Sequence, residues 1–128
     1  MDLRHHSSYI ELSESALRKN LRFLKKMIGP AVKISSVIKG NAYGHGISTF
    51  VPLAEKCGIN HFTVFSVSEA HQASNSISGN SHIMITGDIH PDEIPWAIEN
   101  SVSFYIFNLE QLHSTLEIAK KMKQTALV

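Results

Sequence analysis

The feature that most constrains this chain is its beat. After the first thirty residues, short runs rich in β-branched and aromatic residues alternate with longer amphipathic stretches. Strand-length runs fall at residues 32–38, 62–66, 82–86 and 103–107, and a fifth begins at Thr125 and meets the final residue, Val128. Helix-length connections between strands are what a parallel sheet needs and a hairpin does not. Four strand–helix units in succession therefore predict an α/β fold with right-handed crossovers.

The helices are punctuated by ordinary caps and breakers. Ser13 precedes a segment in which Leu17, Leu21, Leu24 and Ile28 share one face, and Gly29-Pro30 ends it, which predicts a helix over 14–28. A second is expected over 46–57, stopped by Gly58. A third follows Val67, with Ser68 as its cap and Glu69 in its first turn, and a fourth starts at Pro91 and passes Trp96 and Ile98 before Asn100. The last spans 109–122, with Lys120, Lys121 and Lys123 near the negative end of its dipole.

Two architectures share this pattern. A doubly wound, flavodoxin-like sheet of five strands is complete at about this length, whereas a (β/α)8 barrel needs about 250 residues and would be half present. Periodicity alone slightly favours the doubly wound sheet. A terminus three or four residues into a strand reads as truncation. At 128 residues and 43% hydrophobic, the chain has enough material for one buried core without disulfides. Cys57 is the only cysteine, and the formal net charge of +1 gives no strong pull toward nucleic acid or an anionic membrane. No apolar run reaches the roughly 18 residues of a membrane helix, and Met1–Ser7 lacks the apolar core of a signal peptide, so the expected compartment is the cytoplasm.

Functional loops of parallel α/β folds lie beyond the carboxyl ends of the strands. At the end of the first stands Lys39, followed by Gly40-Asn41-Ala42-Tyr43-Gly44-His45-Gly46. Alternation puts Ser35, Val37 and Lys39 on one face and Ser36 and Ile38 on the other. In a barrel that first face points inward, placing a primary amine at the mouth of an apolar cavity. Desolvation there disfavours the ammonium and makes the amine a candidate nucleophile toward a carbonyl. Three glycines in seven residues let backbone approach a ligand closely, and Tyr43 offers a hydroxyl to an anionic group.

Residues Val37-Ile38-Lys39-Gly40-Asn41-Ala42-Tyr43-Gly44-His45-Gly46 resemble the pyridoxal-phosphate signature of alanine racemases, V-[VI]-K-[AG]-[ND]-A-Y-G-H-G. The resemblance extends to Tyr9-Ile10-Glu11-Leu12 with Ala16-Leu17 as an opening strand and helix, to Phe65-Ser66-Val67-Ser68-Glu69-Ala70, to Ile83-Met84-Ile85-Thr86-Gly87, and to Asn108-Leu109-Glu110-Gln111-Leu112. It implies the first half of a (β/α)8 TIM-type barrel, with residues 1–128 forming a partial N-terminal cofactor-binding domain and the C-terminal domain absent.

By the same resemblance, Lys39 forms the internal aldimine with pyridoxal 5′-phosphate and then acts as one of two bases at the substrate Cα. Tyr43 hydrogen-bonds the cofactor phosphate, Val37 lines its ring and Thr86 contributes a contact; His45 is given no catalytic step. The second base in the family is a tyrosine from the partner of a homodimer. The implied activity is interconversion of L- and D-alanine for peptidoglycan supply, with an isolated fragment expected to be inactive and poorly stable. A broad-specificity amino-acid racemase, a non-catalytic cofactor-homeostasis barrel and a flavodoxin-like binding module are the competing readings. No metal site is expected, because none of the eight histidines pairs at helical zinc spacing around a glutamate. Cys57 reads as a small core residue and Asp88 as a turn residue.

Overall fold

The computed structural model describes residues 8–128; Met1–Ser7, with His5, His6 and the expectation about the amino-terminal start, lies outside the described residues. The elements run α1 (Glu14–Ile28), β1 (Ser36–Val37), α2 (Lys39–Tyr43), α3 (Ile47–Lys56), β2 (His61–Val64), α4 (Val67–Ser76), β3 (His82–Ile85), a 3-10 turn (Pro91–Glu93), α5 (Ile94–Glu99), β4 (Ser103–Phe104) and α6 (Leu109–Met122). The helix expected over 14–28 forms with those bounds. The Ser13 hydroxyl accepts the Ala16 N–H at 3.2 Å, Glu14 pairs with Arg18 one turn on at 2.8 Å, and the Gly29 N–H closes the last turn on the Lys25 carbonyl. Of its apolar stripe only Leu21 is buried, while Leu24 and Ile28 stay largely exposed.

The strands are shorter than their hydrophobic runs. Residues 32–38 contract to Ser36–Val37 because only those two find ladder partners, Phe62 and Thr63. Tyr9–Leu12, expected as an opening strand, carries no strand pairing, and Tyr9 and Ile10 are exposed. The fifth strand expected at Thr125 is represented by one bond, from the Phe104 N–H to the Leu127 carbonyl at 3.1 Å. The cap of α4 is Ser66, not Ser68: its hydroxyl accepts the Glu69 N–H at 3.3 Å.

All strand pairs are parallel and the order is β1-β2-β3-β4, so each strand lies beside its predecessor. A doubly wound sheet reverses its direction of growth and places helices on both faces. Here growth never reverses, and right-handed crossovers set the helices on one face only. This is the first half of a (β/α)8 barrel, which overturns the preference that periodicity alone gives to the doubly wound sheet.

The two faces of the sheet differ accordingly. Ile38, Phe62, Val64, Ile85 and Phe104 point to the helices and are fully buried, with Val51, Ala54, Ala70, Ala73 and Ala97 opposite them. Alternate residues point to the concave face, where Val37, Phe65, Tyr105 and Phe107 are exposed. Toward the amino ends of the strands that face carries a polar floor. The Ser35 hydroxyl lies 2.6 Å from the Thr63 hydroxyl and 2.7 Å from His61 Nδ1, and His82 Nε2 lies 2.7 Å from the Ser103 hydroxyl. His61 and His82 are ladder partners with ring centroids 5.1 Å apart.

Candidate functional site

Lys39 is the first residue after the β1 ladder but one, and sits at the carboxyl end of the sheet, where barrel chemistry resides. The chain then makes a helical turn of the wrong hand. Gly40, Asn41, Ala42 and Tyr43 all have φ between 54° and 61°, so α2 is a single left-handed turn despite its helical hydrogen bonds. Such a conformation costs a side-chain-bearing residue roughly 1–2 kcal/mol, least for glycine and asparagine. Gly40 opens the turn at no steric cost, but Ala42 and Tyr43 must be held there.

Several contacts hold them. The Ala42 N–H donates to the Ile38 carbonyl at 2.8 Å, and Ala42 is buried. The Asn41 carbonyl accepts the Gly46 N–H at 2.9 Å while its side-chain oxygen accepts the Ile47 N–H at 3.0 Å, capping α3 from outside. His45 stacks on Phe50 with centroids 6.4 Å apart, which makes it a support of the loop. The outcome is that Lys39 and Tyr43 stand at the two ends of one turn, both exposed at the open mouth. The desolvated amine expected inside a closed barrel is therefore not in place within these residues; Lys39 faces solvent.

The other expected site residues fall on neighbouring strands. Val37 lies in β1 on the concave face and is 44% exposed, an apolar wall beside the turn. Thr86 follows β3, and both its N–H and its hydroxyl donate to the Val64 carbonyl, at 2.9 and 3.0 Å. Its hydroxyl is thus occupied in the β2–β3 junction. Gly87, next along, is required by a close approach: a Cβ there would lie 2.3 Å from the Phe65 carbonyl oxygen, which accepts the Gly87 N–H at 3.0 Å.

In the sequence Glu69 is legible only as a helix former, yet the structure puts it at the centre of the mouth. One carboxylate oxygen accepts the Gly40 N–H at 2.7 Å and the other accepts the Phe65 N–H at 2.9 Å. The ends of β1, β2 and β3 are thereby joined in order through Gly40, Glu69, Phe65 and Gly87. The signal that could have found Glu69 is the S-x-x-E pattern of Ser66-Val67-Ser68-Glu69, which a cap placed two residues late, at Ser68, conceals.

Chemically, the mouth presents a primary amine able to condense with an aldehyde, a phenol able to donate to an anion, and apolar side chains against which a flat ring can lie. Among the described residues no group of three or more His, Cys, Asp or Glu side chains converges to hold a metal ion. Among them, too, no helix is long and apolar enough to cross a membrane.

Comparison with known proteins points the same way. The family described as "Alanine racemase, N-terminal domain" matches residues 12–128. The alanine racemase of Desulforamulus reducens is 31% identical over 120 residues, which are 94% of this chain and 32% of that protein. The crystal structure of alanine racemase from Oenococcus oeni superposes with a TM-score of 0.80 at 26% identity, covering 91% of this chain and 32% of the other. Alanine racemase from Bartonella henselae, solved with covalently bound pyridoxal phosphate, shares the fold with a TM-score of 0.77 at 21% identity, over 86% of this chain and 32% of its own. The chain spans about a third of the length of the relatives it matches.

Proposed function

Because this chain belongs to the family of alanine racemase N-terminal domains, we propose that it is the part of a racemase that carries the cofactor lysine, acting on alanine through pyridoxal 5′-phosphate. The observation that carries this reading is the position of Lys39. Its backbone leaves the sheet at the carboxyl end of β1 and enters a braced left-handed turn that ends in Tyr43.

The residues present fit the cofactor. Lys39 would hold its aldehyde, the Tyr43 hydroxyl would donate to its phosphate, and Val37 would lie along its ring, with Thr86 a contact from the end of β3. When bound, the cofactor supplies an electron sink that makes a Cα–H acidic enough for a side-chain base to remove. The Lys39 amine would take or return a proton on one face of Cα. Racemisation needs a second base on the opposite face, which we assign to a residue outside these 128, contributed across a homodimer. The 128-residue chain alone is therefore inactive as a racemase, and its exposed concave face favours self-association. In the cell, the intact protein would supply D-alanine for peptidoglycan from the cytoplasm.

The test is borohydride reduction of the chain mixed with pyridoxal phosphate, followed by peptide mass analysis, with Lys39→Ala in parallel. The reading expects an absorbance band that reduction traps, a mass increment on the peptide containing Lys39, and loss of both in Lys39→Ala. An adduct spread over other lysines, or unaffected by the substitution, would sink it.

A further inference from the structure

Resting on the reading that Lys39 carries pyridoxal phosphate, we propose that Glu69 is the positioning residue of that lysine. Its carboxylate tethers the Lys39 turn to the end of β2 and fixes where the amine stands. The Gly40 nitrogen belongs to the peptide unit that begins at the Lys39 carbonyl, so the 2.7 Å bond from Gly40 N–H to Glu69 acts one peptide away from the Lys39 Cα. The turn's own carbonyls take later donors: Ala42 closes on Ile38, Gly44 on Gly40 and Asn41. Glu69 is what satisfies the N–H where β1 ends. Its other oxygen does the same for the Phe65 N–H, just beyond the end of β2.

The geometry departs from what a helix would ask of this residue. A glutamate three positions after a serine cap ordinarily turns back to the N–H of the cap residue itself. Here the Ser66 hydroxyl does accept the Glu69 N–H, but the carboxylate passes over Ser66, takes the N–H of the preceding residue and reaches across to the neighbouring strand. The two bonds, at 2.7 and 2.9 Å, engage both oxygens of one carboxylate and so fix its orientation between the two strand ends. A long lysine side chain multiplies any wander of its backbone, and a reacting amine must be held within a fraction of an ångström of its target. An anchor on the adjacent peptide removes that wander at its origin.

The experiment compares the parent 128-residue chain with Glu69→Ala, Glu69→Gln and Ser66→Ala. Three quantities are read: residue-resolved amide exchange, melting temperature, and the rate of borohydride-trapped pyridoxal phosphate at Lys39. Glu69→Ala should speed exchange at Gly40 and Phe65 and slow trapping at Lys39, each by about tenfold. Glu69→Gln keeps one acceptor and should fall between. Ser66→Ala removes the helix cap without touching the tether, so it should lower the melting temperature while leaving trapping within about twofold of the parent. Trapping that is unchanged in Glu69→Ala, or that falls equally in Ser66→Ala, overturns the proposal while leaving the cofactor reading intact. A parent chain with no adduct at Lys39 overturns the cofactor reading and the proposal with it; faster exchange at Gly40 would then report the tether as structural only.

Discussion

At the carboxyl end of the sheet Glu69 accepts two N–H groups from two different strand ends; at the amino end Glu55 accepts four donors from one loop. The partners of Glu55 are the Ser78 N–H at 2.9 Å, the Ser78 hydroxyl at 2.8 Å, the Gly79 N–H at 3.4 Å and the Ser81 hydroxyl at 2.6 Å. Glu55 ties down the link between α4 and β3, at the opposite end of the strands from Lys39 and Tyr43. Glu69 ties together the loops that carry those side chains. The same device, a carboxylate gathering loose donors, serves stability at one end of the half-barrel and placement at the other, in keeping with the division of labour in barrels of this type.

The sharpest way to break that division is Gly87→Ala. A methyl group 2.3 Å from the Phe65 carbonyl oxygen cannot be accommodated without moving backbone. We expect a loss of about 3 kcal/mol of stability in thermal melts, together with slower cofactor trapping at Lys39, because the displaced residue is part of the mouth network. Gly79, in the Glu55 loop, would bring a Cβ no closer than 3.5 Å to the Glu55 carboxylate, so Gly79→Ala is the matched control and should melt near the parent.

A smaller effect is expected at the amino end. Glu55→Ala should cost about 1 kcal/mol, a modest figure because the carboxylate is only half-buried and water can replace part of what the loop donates. Lys39 trapping should be unaffected. A comparable loss of trapping in Glu55→Ala would show that the two ends do not work separately.

The smallest effect is acid sensitivity, and it belongs to the amino end. Burial pushes the Glu55 carboxyl up, but the donors from Ser81, Ser78 and Gly79 outweigh it and hold it below the ordinary value of 4.5. Its contribution to stability is present above that value and is lost as pH falls through the lowered one. His61 is held below 6.5 by burial, then by the facing His82 ring and by Lys33; His82 is lowered by burial and Lys33. Both stay neutral in the fold while the unfolded chain takes up protons, so stability is full above about 6.5 and declines as pH falls below it. Melting temperatures measured from about pH 7.5 to about pH 4 should show this decline in two stages. His61→Asn with His82→Gln, which keep a polar atom near each hydroxyl partner, should flatten the stage nearer neutrality.

Much of this is legible in the sequence because it is decided locally. Ser13 and the apolar spacing of α1, and the helical spacing of residues 109–122, place both helices where periodicity expects them, and the structure adds Asn108 as the cap of α6. Alternation correctly separates Val37 on the open face from Ile38 in the core. Strand length is overestimated because a ladder is made by two partners: residues 103–107 have the composition of a strand, but only Ser103 and Phe104 find a register on β3. Periodicity leans to the wrong sheet type for a similar reason, since strand order is a property of the assembled sheet. Within the site, Lys39 and Tyr43 are visible through their motif, whereas Glu69 is hidden by a two-residue error in the α4 cap. The left-handed turn is hidden too. Three glycines announce a tight loop, but not that Asn41, Ala42 and Tyr43 would share the mirror-image conformation.

The unbroken strand order has a kinetic corollary. Paired residues in adjacent strands are 19 to 26 positions apart in the chain, so each ladder of this half-barrel closes over a short span. As the chain emerges from the ribosome, β2 meets a β1 already made, β3 meets β2, and β4 meets β3. Growth then proceeds at a single advancing edge, and the turn bearing Lys39 becomes anchored once β2 and the first turn of α4, with Glu69, have emerged.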